Sequence, residues 1–343
     1  MAIYVGVNGV PKEVSEVYVG VNGVPKEVSD IYAGKDGTAT AVYSSVKPGE
    51  TVFTSSGIFT VPKGVKKIDV FCVGGGGSGS GANTGYGDYN TFGGGGGGGF
   101  TKTTKDIAVA VGDQIAVTVG AGGSGLVYSS GSSKSQYNPA GNSGGASSIG
   151  IFCTSNGGSG GTGNAFYYAD DTYGCNGGAG GSGGSSATRN GSVVISAGSD
   201  GSNGANGYYY KYSGIYSFGG NGQGTTTRYF GESNGTLYAG GGGGYGYAQY
   251  FGAYSNVAAR GIYGCPNVGG AGGGGNGAYT QCYSDSYGSA TYFFYKNISA
   301  VAGTVNTGGG GGGSAGNGTY SNEKTVYAGA GGSGVAIIRW GKK

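Results

Sequence analysis

Apolar and polar positions alternate in three stretches of the chain. From Thr51 to Val73 (TVFTSSGIFTVPKGVKKIDVFCV), Phe59 and Val61, then Ile68, Val70 and Cys72, alternate with polar or small residues. A period of two turns every second side chain to one face, so this stretch predicts half-buried strands. IAVAVGDQIAVTV, from Ile107 to Val119, predicts a strand pair turning at Gly112-Asp113, and GVAIIRW, from Gly334, predicts a last strand. Together they predict a small β-sandwich frame at about 51–73, 100–119 and 334–340, closed by its first and last strands.

A different pattern precedes the frame. YVGVNGVPKEVSEV from Tyr4 recurs as YVGVNGVPKEVSDI from Tyr18, and a degenerate copy, YAGKDGTATAVY, starts at Tyr32. Each copy centres on Asn-Gly or Asp-Gly, which suit a type I′ turn. Short β-branched flanks make each copy a β-hairpin. Pro11 and Pro25 cannot donate to a ladder and belong at edges or strand starts. Isolated hairpins are marginal, so three in series call for a partner surface. Residues 1–46 therefore read as an attachment module and 47–343 as a second, glycine-rich domain.

Between and after the frame strands the pattern gives way to glycine. The chain has 89 glycines in 343 residues, in runs starting at Gly74, Gly93, Gly120, Gly141, Gly157, Gly177, Gly198, Gly219, Gly240, Gly269, Gly308 and Gly329. Collagen needs glycine strictly at every third position, and these runs lack that regularity. Extended polyproline-II-like helices of nearly pure glycine can instead lie side by side and hydrogen-bond laterally. Flexible Gly/Ser linkers are the competing reading. Uniform run length and the flanking strand frame favour the bundle. The fold class expected is all-β: a sandwich frame, a bundle of polyglycine-II helices joined by Tyr-rich loops, hairpin repeats in front, and essentially no α-helix.

Composition narrows the chemistry. There is no histidine, which removes the commonest general base and metal ligand. The five cysteines are scattered without metal-like spacing, and read as free thiols. A net charge of +3 is too small to imply nucleic acid. No apolar run is long enough to span a membrane. GAGGSG, Gly120 to Gly125, fits a dinucleotide fingerprint, but neither a helical period nor an acidic partner follows it. Asp170-Asp171 reads as a solvated loop. The sequence therefore points to no enzyme, no metal and no cofactor.

GIFTVPKGVKKIDVFCVGGGGSGSG, GGGGGGGFTKTT, GDQIAVTVGAGG, GGASSIG and the closing GGSGVAIIRW, in that order, resemble the glycine-rich domain of bacteriophage tail-fibre and receptor-binding proteins. Relatives of that group include the polyglycine-II tip adhesins of T-even-like phages. The extracellular glycine-rich domain of the anaplastic lymphoma kinase receptor shows a similar lattice. The YVGVNGVPKEV repeat resembles N-terminal modules of phage structural proteins from Gram-positive hosts. The resemblance implies a virion tail protein that recognises a host-cell surface and joins other tail proteins through its N-terminal repeats. It implies a chain made in the host cytoplasm, and the N-terminus lacks a secretory pattern. A homotrimer would follow phage fibre habit.

In such adhesins the loops at the distal end touch the receptor. Here the segments between glycine runs are rich in tyrosine, a large rigid contact with a hydroxyl tip. The candidate receptor-binding residues are Tyr167, Tyr168, Tyr173, Tyr208, Tyr209, Tyr210, Tyr212, Tyr216, Tyr250, Tyr254, Tyr283, Tyr287, Tyr292, Phe293 and Tyr295. A surface glycan and a surface protein are both compatible with them. The same tyrosines could instead shield the bundle. Other readings are a structural virion or envelope protein without a receptor role, and an ice-binding glycine bundle. The last would need a flat face of small residues at tripeptide spacing, which long aromatic loops would interrupt.

Overall fold

The computed structural model describes residues 4–7, 10–13, 17–28, 30–35, 38–44, 46–81, 90–129, 139–162, 174–185, 187–188, 208–210, 214–216, 226–245, 269–287, 290–317 and 325–341. Strands dominate; the only helical element among these residues is one 3-10 turn at Tyr229–Gly231.

The sandwich frame has eight strands: β1 (Gly49–Phe53), β2 (Gly57–Thr60), β3 (Lys67–Val73), β4 (Thr101–Ala108), β5 (Gln114–Thr118), β6 (Ser147–Ile149), β7 (Cys153–Ser155) and β8 (Val335–Trp340). They form two antiparallel sheets, ordered β4-β3-β8-β1 and β7-β6-β5-β2. The first and last strands are neighbours, as expected. Two expectations need correction. β4 and β5 do not pair with each other: the turn at Val111-Gly112 carries the chain from one sheet to the other. And residues 147–155, not expected to be strands, supply β6 and β7.

Alternation explains the core. Ile68, Val70 and Cys72 of β3 face inward with Ala336 and Ile338 of β8, against Phe59, Ile115, Val117, Ile149 and Cys153. The other faces of β3 and β8 are also covered. Phe71, Val73, Val335 and Ile337 pack against Phe230 and Ala239. That second layer explains why GVAIIRW is almost uninterrupted in its apolar residues. Arg339 holds the layer in place. It is only 5 % exposed and reaches Asp69 at 3.2 Å and Glu232 at 2.5 Å, with its guanidinium carbon 3.9 Å from the Phe230 ring centre. Tyr229 donates its hydroxyl to Glu50. Phe230 adopts φ 49°, a left-handed conformation costly for a side chain, and its packing offsets that cost.

The glycine runs form a lattice whose hydrogen bonds repeat every third residue. In the segment 74–81, the N–H groups of Gly74, Gly77 and Ser80 donate to Phe100, Gly97 and Gly94. Those of Gly75, Ser78 and Gly81 donate to Gly145, Asn142 and Pro139. Those of Gly76 and Gly79 donate to Gly332 and Gly329. Each partner index falls by three as the donor rises by three, so the rod is a three-residue-per-turn helix bonded laterally to three antiparallel neighbours. It accepts from three more: Gly158 and Gly161, Gly123, and Gly311 with Ser314. Six neighbours around one rod is hexagonal packing.

The same count holds for 93–100 and 308–314. These three rods touch one another and form the centre. Nine others ring them, each bonded to the next: 139–146, 156–162, 176–181, 182–185, 238–245, 274–278, 301–304, 328–334 and 120–125, which returns to 139–146. Eight residues of such a rod span about 25 Å. The runs at Gly198 and Gly219 lie outside the described residues.

Contact, not backbone conformation, demands glycine here. Among rod glycines only Gly308 has a positive φ. A Cβ at Gly76, Gly96 or Gly311 would sit 2.1, 2.1 or 2.0 Å from the carbonyl oxygen of Gly309, Gly77 or Gly329. Some buried serines interrupt the rods where their hydroxyls replace a backbone partner, whereas the Ser182 and Ser314 hydroxyls are buried without one. Ser80 Oγ accepts from Gly94 N–H at 2.8 Å and Ser185 Oγ from Gly244 N–H at 2.6 Å. Ser147 Oγ accepts from Gly120 and donates to Val73, tying lattice to sandwich.

Candidate functional site

The lattice gives the bundle a direction. The rod 74–81 continues β3, 93–100 runs into β4, 139–146 into β6 and 328–334 into β8, while 156–162 leaves β7. The sandwich therefore caps one end. Register fixes the other rods: 182–185 and 238–245 run antiparallel to 93–100, and 308–314 runs parallel to 74–81. The chain accordingly leaves the far end of the bundle after Gly81, Thr162, Ser185, Tyr245, Ala278 and Ser314. Short ladders tie that end together: Asn90–Phe92 with Ala315–Asn317, and Leu126–Ser129 with Thr325–Ala328.

Every candidate recognition residue lies on a segment that starts from this far end. Tyr167, Tyr168 and Tyr173 follow Thr162, and Tyr250 and Tyr254 follow Tyr245; these five, with Tyr212, lie outside the described residues. Tyr208, Tyr209 and Tyr210 pair with Tyr216, Ile215 and Gly214 in a two-stranded ladder. The segment from Tyr279 is not a loop. It is a hairpin of two nine-residue strands, Tyr279–Tyr287 and Ala290–Ile298, growing out of rod 274–278 and returning to rod 301–304. Its register sets Tyr283 opposite Phe294, Asp285 opposite Tyr292, Ser284 opposite Phe293, Cys282 opposite Tyr295 and Tyr287 opposite Ala290.

Other tyrosines are structural. Tyr245 is buried at the end of its rod and donates its backbone N–H to Gly93. Tyr229 and Tyr238 pack edge-on against Phe71. Burial, with Glu50 nearby, pushes the Tyr238 phenol above its ordinary pKa. The Cys72 thiol is pushed up by its hydrogen bond to Cys153 and by burial; both cysteines are free and buried. The sequence reading missed the Arg339–Asp69–Glu232 group because the three residues are far apart in the chain. A charged residue inside an apolar strand was its one signal.

The side of the bundle has its own regularity. Ala140, Ser143 and Ala146 are exposed on one rod, Asn156, Ser159 and Thr162 on the next, and Ala121 and Ser124 on a third. Outward positions thus recur every third residue and carry small side chains. Gly120–Gly125 is one of these rods and is followed by a strand, so the dinucleotide reading fails. Among the described residues no three His, Cys, Asp or Glu side chains gather to hold a metal, and no helix is long and apolar enough to cross a membrane.

A sandwich whose connections are polyglycine rods defines a glycine-lattice fold. The family model for the glycine-rich domain matches residues 50–341, and the chain belongs to that family. No curated protein matches the chain.

Proposed function

We propose that this protein is a bacteriophage tail-fibre or tail-tip adhesin that reads a host-cell surface glycan or protein through its aromatic segments. It is a virion component without catalytic activity, joined to the tail through its N-terminal repeats. One observation carries the reading: all the candidate residues belong to segments launched from the end of the bundle opposite the sandwich. A folded base with aromatic segments at one end suits recognition, because a positioned loop loses less entropy on binding. Tyrosine adds rigid, amphipathic contact area.

The test is saturable binding of the purified protein to intact candidate host cells. Variants carry Gly-Ser in place of residues 208–218 or 279–297, with the thermal midpoint and the amide protection of β3 and β8 unchanged. Binding lost in a folded variant supports the reading. Binding unaffected by either replacement assigns these segments to structure alone.

A second reading, ice binding, gains from the side face. The small outward residues on 120–125, 139–146 and 156–162 form a tripeptide-spaced surface along the side of the bundle. Thermal hysteresis of the purified protein, abolished by Ser143→Tyr with Ser159→Tyr, would favour it over the adhesin.

A further inference from the structure

We propose that Cys72 and Cys153 form a redox site, which a small-molecule disulfide such as glutathione disulfide converts to a disulfide bond that staples the two sheets together at the roots of the rods. This does not rest on the receptor reading. The two residues lie 81 positions apart in the chain and come from different sheets, Cys72 from β3 and Cys153 from β7. Both are buried, and they share one core with Ile115, Val117 and Ile149.

Sheets packed face to face stand about 10 Å apart, too far for a disulfide, whose Cα atoms lie about 4.4–6.8 Å apart. Here the sheets close up. Cys153 donates its thiol to the Lys102 carbonyl at 3.4 Å, Thr104 donates its hydroxyl to the Phe152 carbonyl at 3.1 Å, and Ser155 donates its hydroxyl to the Phe100 carbonyl. Each donor sits directly on a Cβ, so each bond draws the β7 and β4 segments close. Lys102 is the residue paired with Cys72, which centres this approach on the two cysteines. The Cys72 sulfur lies 3.9 Å from the Cys153 carbonyl oxygen, and its thiol also donates to the Cys153 thiol. The sulfurs already face each other. β7 is a three-residue strand at the edge of its sheet and can take up the shift to bonding distance.

The bond sits at the junction with the lattice. β3 runs on into rod 74–81 and β7 into rod 156–162, and these rods are neighbours through Gly158 N–H to Gly75 and Gly161 N–H to Ser78. The covalent loop it closes contains the central rods 74–81 and 93–100. Closing so long a loop restricts the unfolded chain, so the oxidised protein is the more stable form.

Because both thiols are buried, exchange proceeds while β7 is detached. One cysteine thiolate attacks a sulfur of glutathione disulfide and expels a glutathione thiolate. The other cysteine then attacks the mixed disulfide and expels the second. The two cysteine protons end on the two glutathione thiols; the protein loses two electrons and glutathione disulfide gains them.

The full chain, held a few degrees below its thermal midpoint, is incubated with glutathione disulfide, and a parallel sample with iodoacetamide. Chymotrypsin then releases peptides that start at Cys72 and Cys153, since Phe71 and Phe152 precede them. The expected result is alkylation of both cysteines in the parallel sample and a direct link between the two peptides in the first. The oxidised protein should melt about 5 °C or more above the reduced one. Cys153→Ala should abolish that rise, and Cys175→Ser with Cys265→Ser and Cys282→Ser should keep it. Cysteines that are alkylated but never linked, that resist both reagents, that link to other cysteines, or that link without raising the midpoint overturn the proposal.

Discussion

The sandwich and the glycine bundle share one chain and one set of backbone connections, yet opposite rules hold them together. In the sandwich, Ile68, Val70 and Ile338 remove apolar side chains from water. Truncating such a side chain loses burial and leaves a cavity. In the bundle there are almost no side chains to bury, and backbones approach until an added Cβ would sit about 2 Å from a carbonyl oxygen. Cohesion comes from lateral hydrogen bonds, each adding only about 1 kcal/mol net, so many must form together. One region is damaged by losing a methyl group and the other by gaining one.

The comparison is broken most directly at the centre of the lattice. Gly96→Ala and Gly311→Ala place a Cβ against the backbone of a buried neighbour that cannot move alone. Each should cost about 4 kcal/mol or more, read as a collapse of the thermal midpoint. In the sandwich, Ile338→Ala should cost about 3 kcal/mol by the opposite mechanism. Arg339→Met should cost a similar amount, about 3 kcal/mol, because it leaves Asp69 without its buried partner. Denaturant titration checks both.

Alkaline pH sharpens the comparison from the sandwich side. Tyr238 has a raised pKa in the fold. It is a neutral acid that would ionise near its ordinary value of 10.0 once unfolded. Its contribution is therefore full below about pH 10 and declines as pH rises above it. Thermal midpoints should fall between about pH 9 and 11, and less so in Tyr238→Phe. The smallest effect is expected at Gly145, exposed on its rod, where a Cβ would find its nearest neighbour at 3.2 Å. Gly145→Ala should change stability by less than about 0.5 kcal/mol. A large loss there would mean that rod glycines are required for some reason other than inward contact.

Much of the architecture was legible because each region writes its rule into the sequence. β3 announced itself through Ile68, Val70 and Cys72, and the turn at Asn22-Gly23 through the residue pair alone. The rods showed as glycine runs, but only inward positions need glycine. That is why 301–304 escaped notice: Val301, Ala302 and Thr304 are exposed, and Gly303 alone would meet a carbonyl, that of Gly309, at 2.1 Å. β6 and β7 were missed because three residues each, SSI and CTS, are too few to show a period. The separation of β4 from β5 was invisible because alternation reports which face is buried and not which sheet pairs. The hairpin from Tyr279 looked like a loop because Tyr292, Phe293, Phe294 and Tyr295 put aromatics on both parities of its second strand, and its first strand carries no aliphatic residue.

The central claim is that the glycine runs are the folded scaffold and not linkers between folded parts. Native-state amide hydrogen exchange at residues 74–81, 93–100 and 308–314 tests it most directly, since every rod N–H is either laterally bonded or free to exchange. The account predicts protection in these glycines comparable to that of β3 and β8, with one cooperative opening for all three rods. Exchange at the rate of an unstructured glycine peptide, while β3 and β8 remain protected, would contradict it.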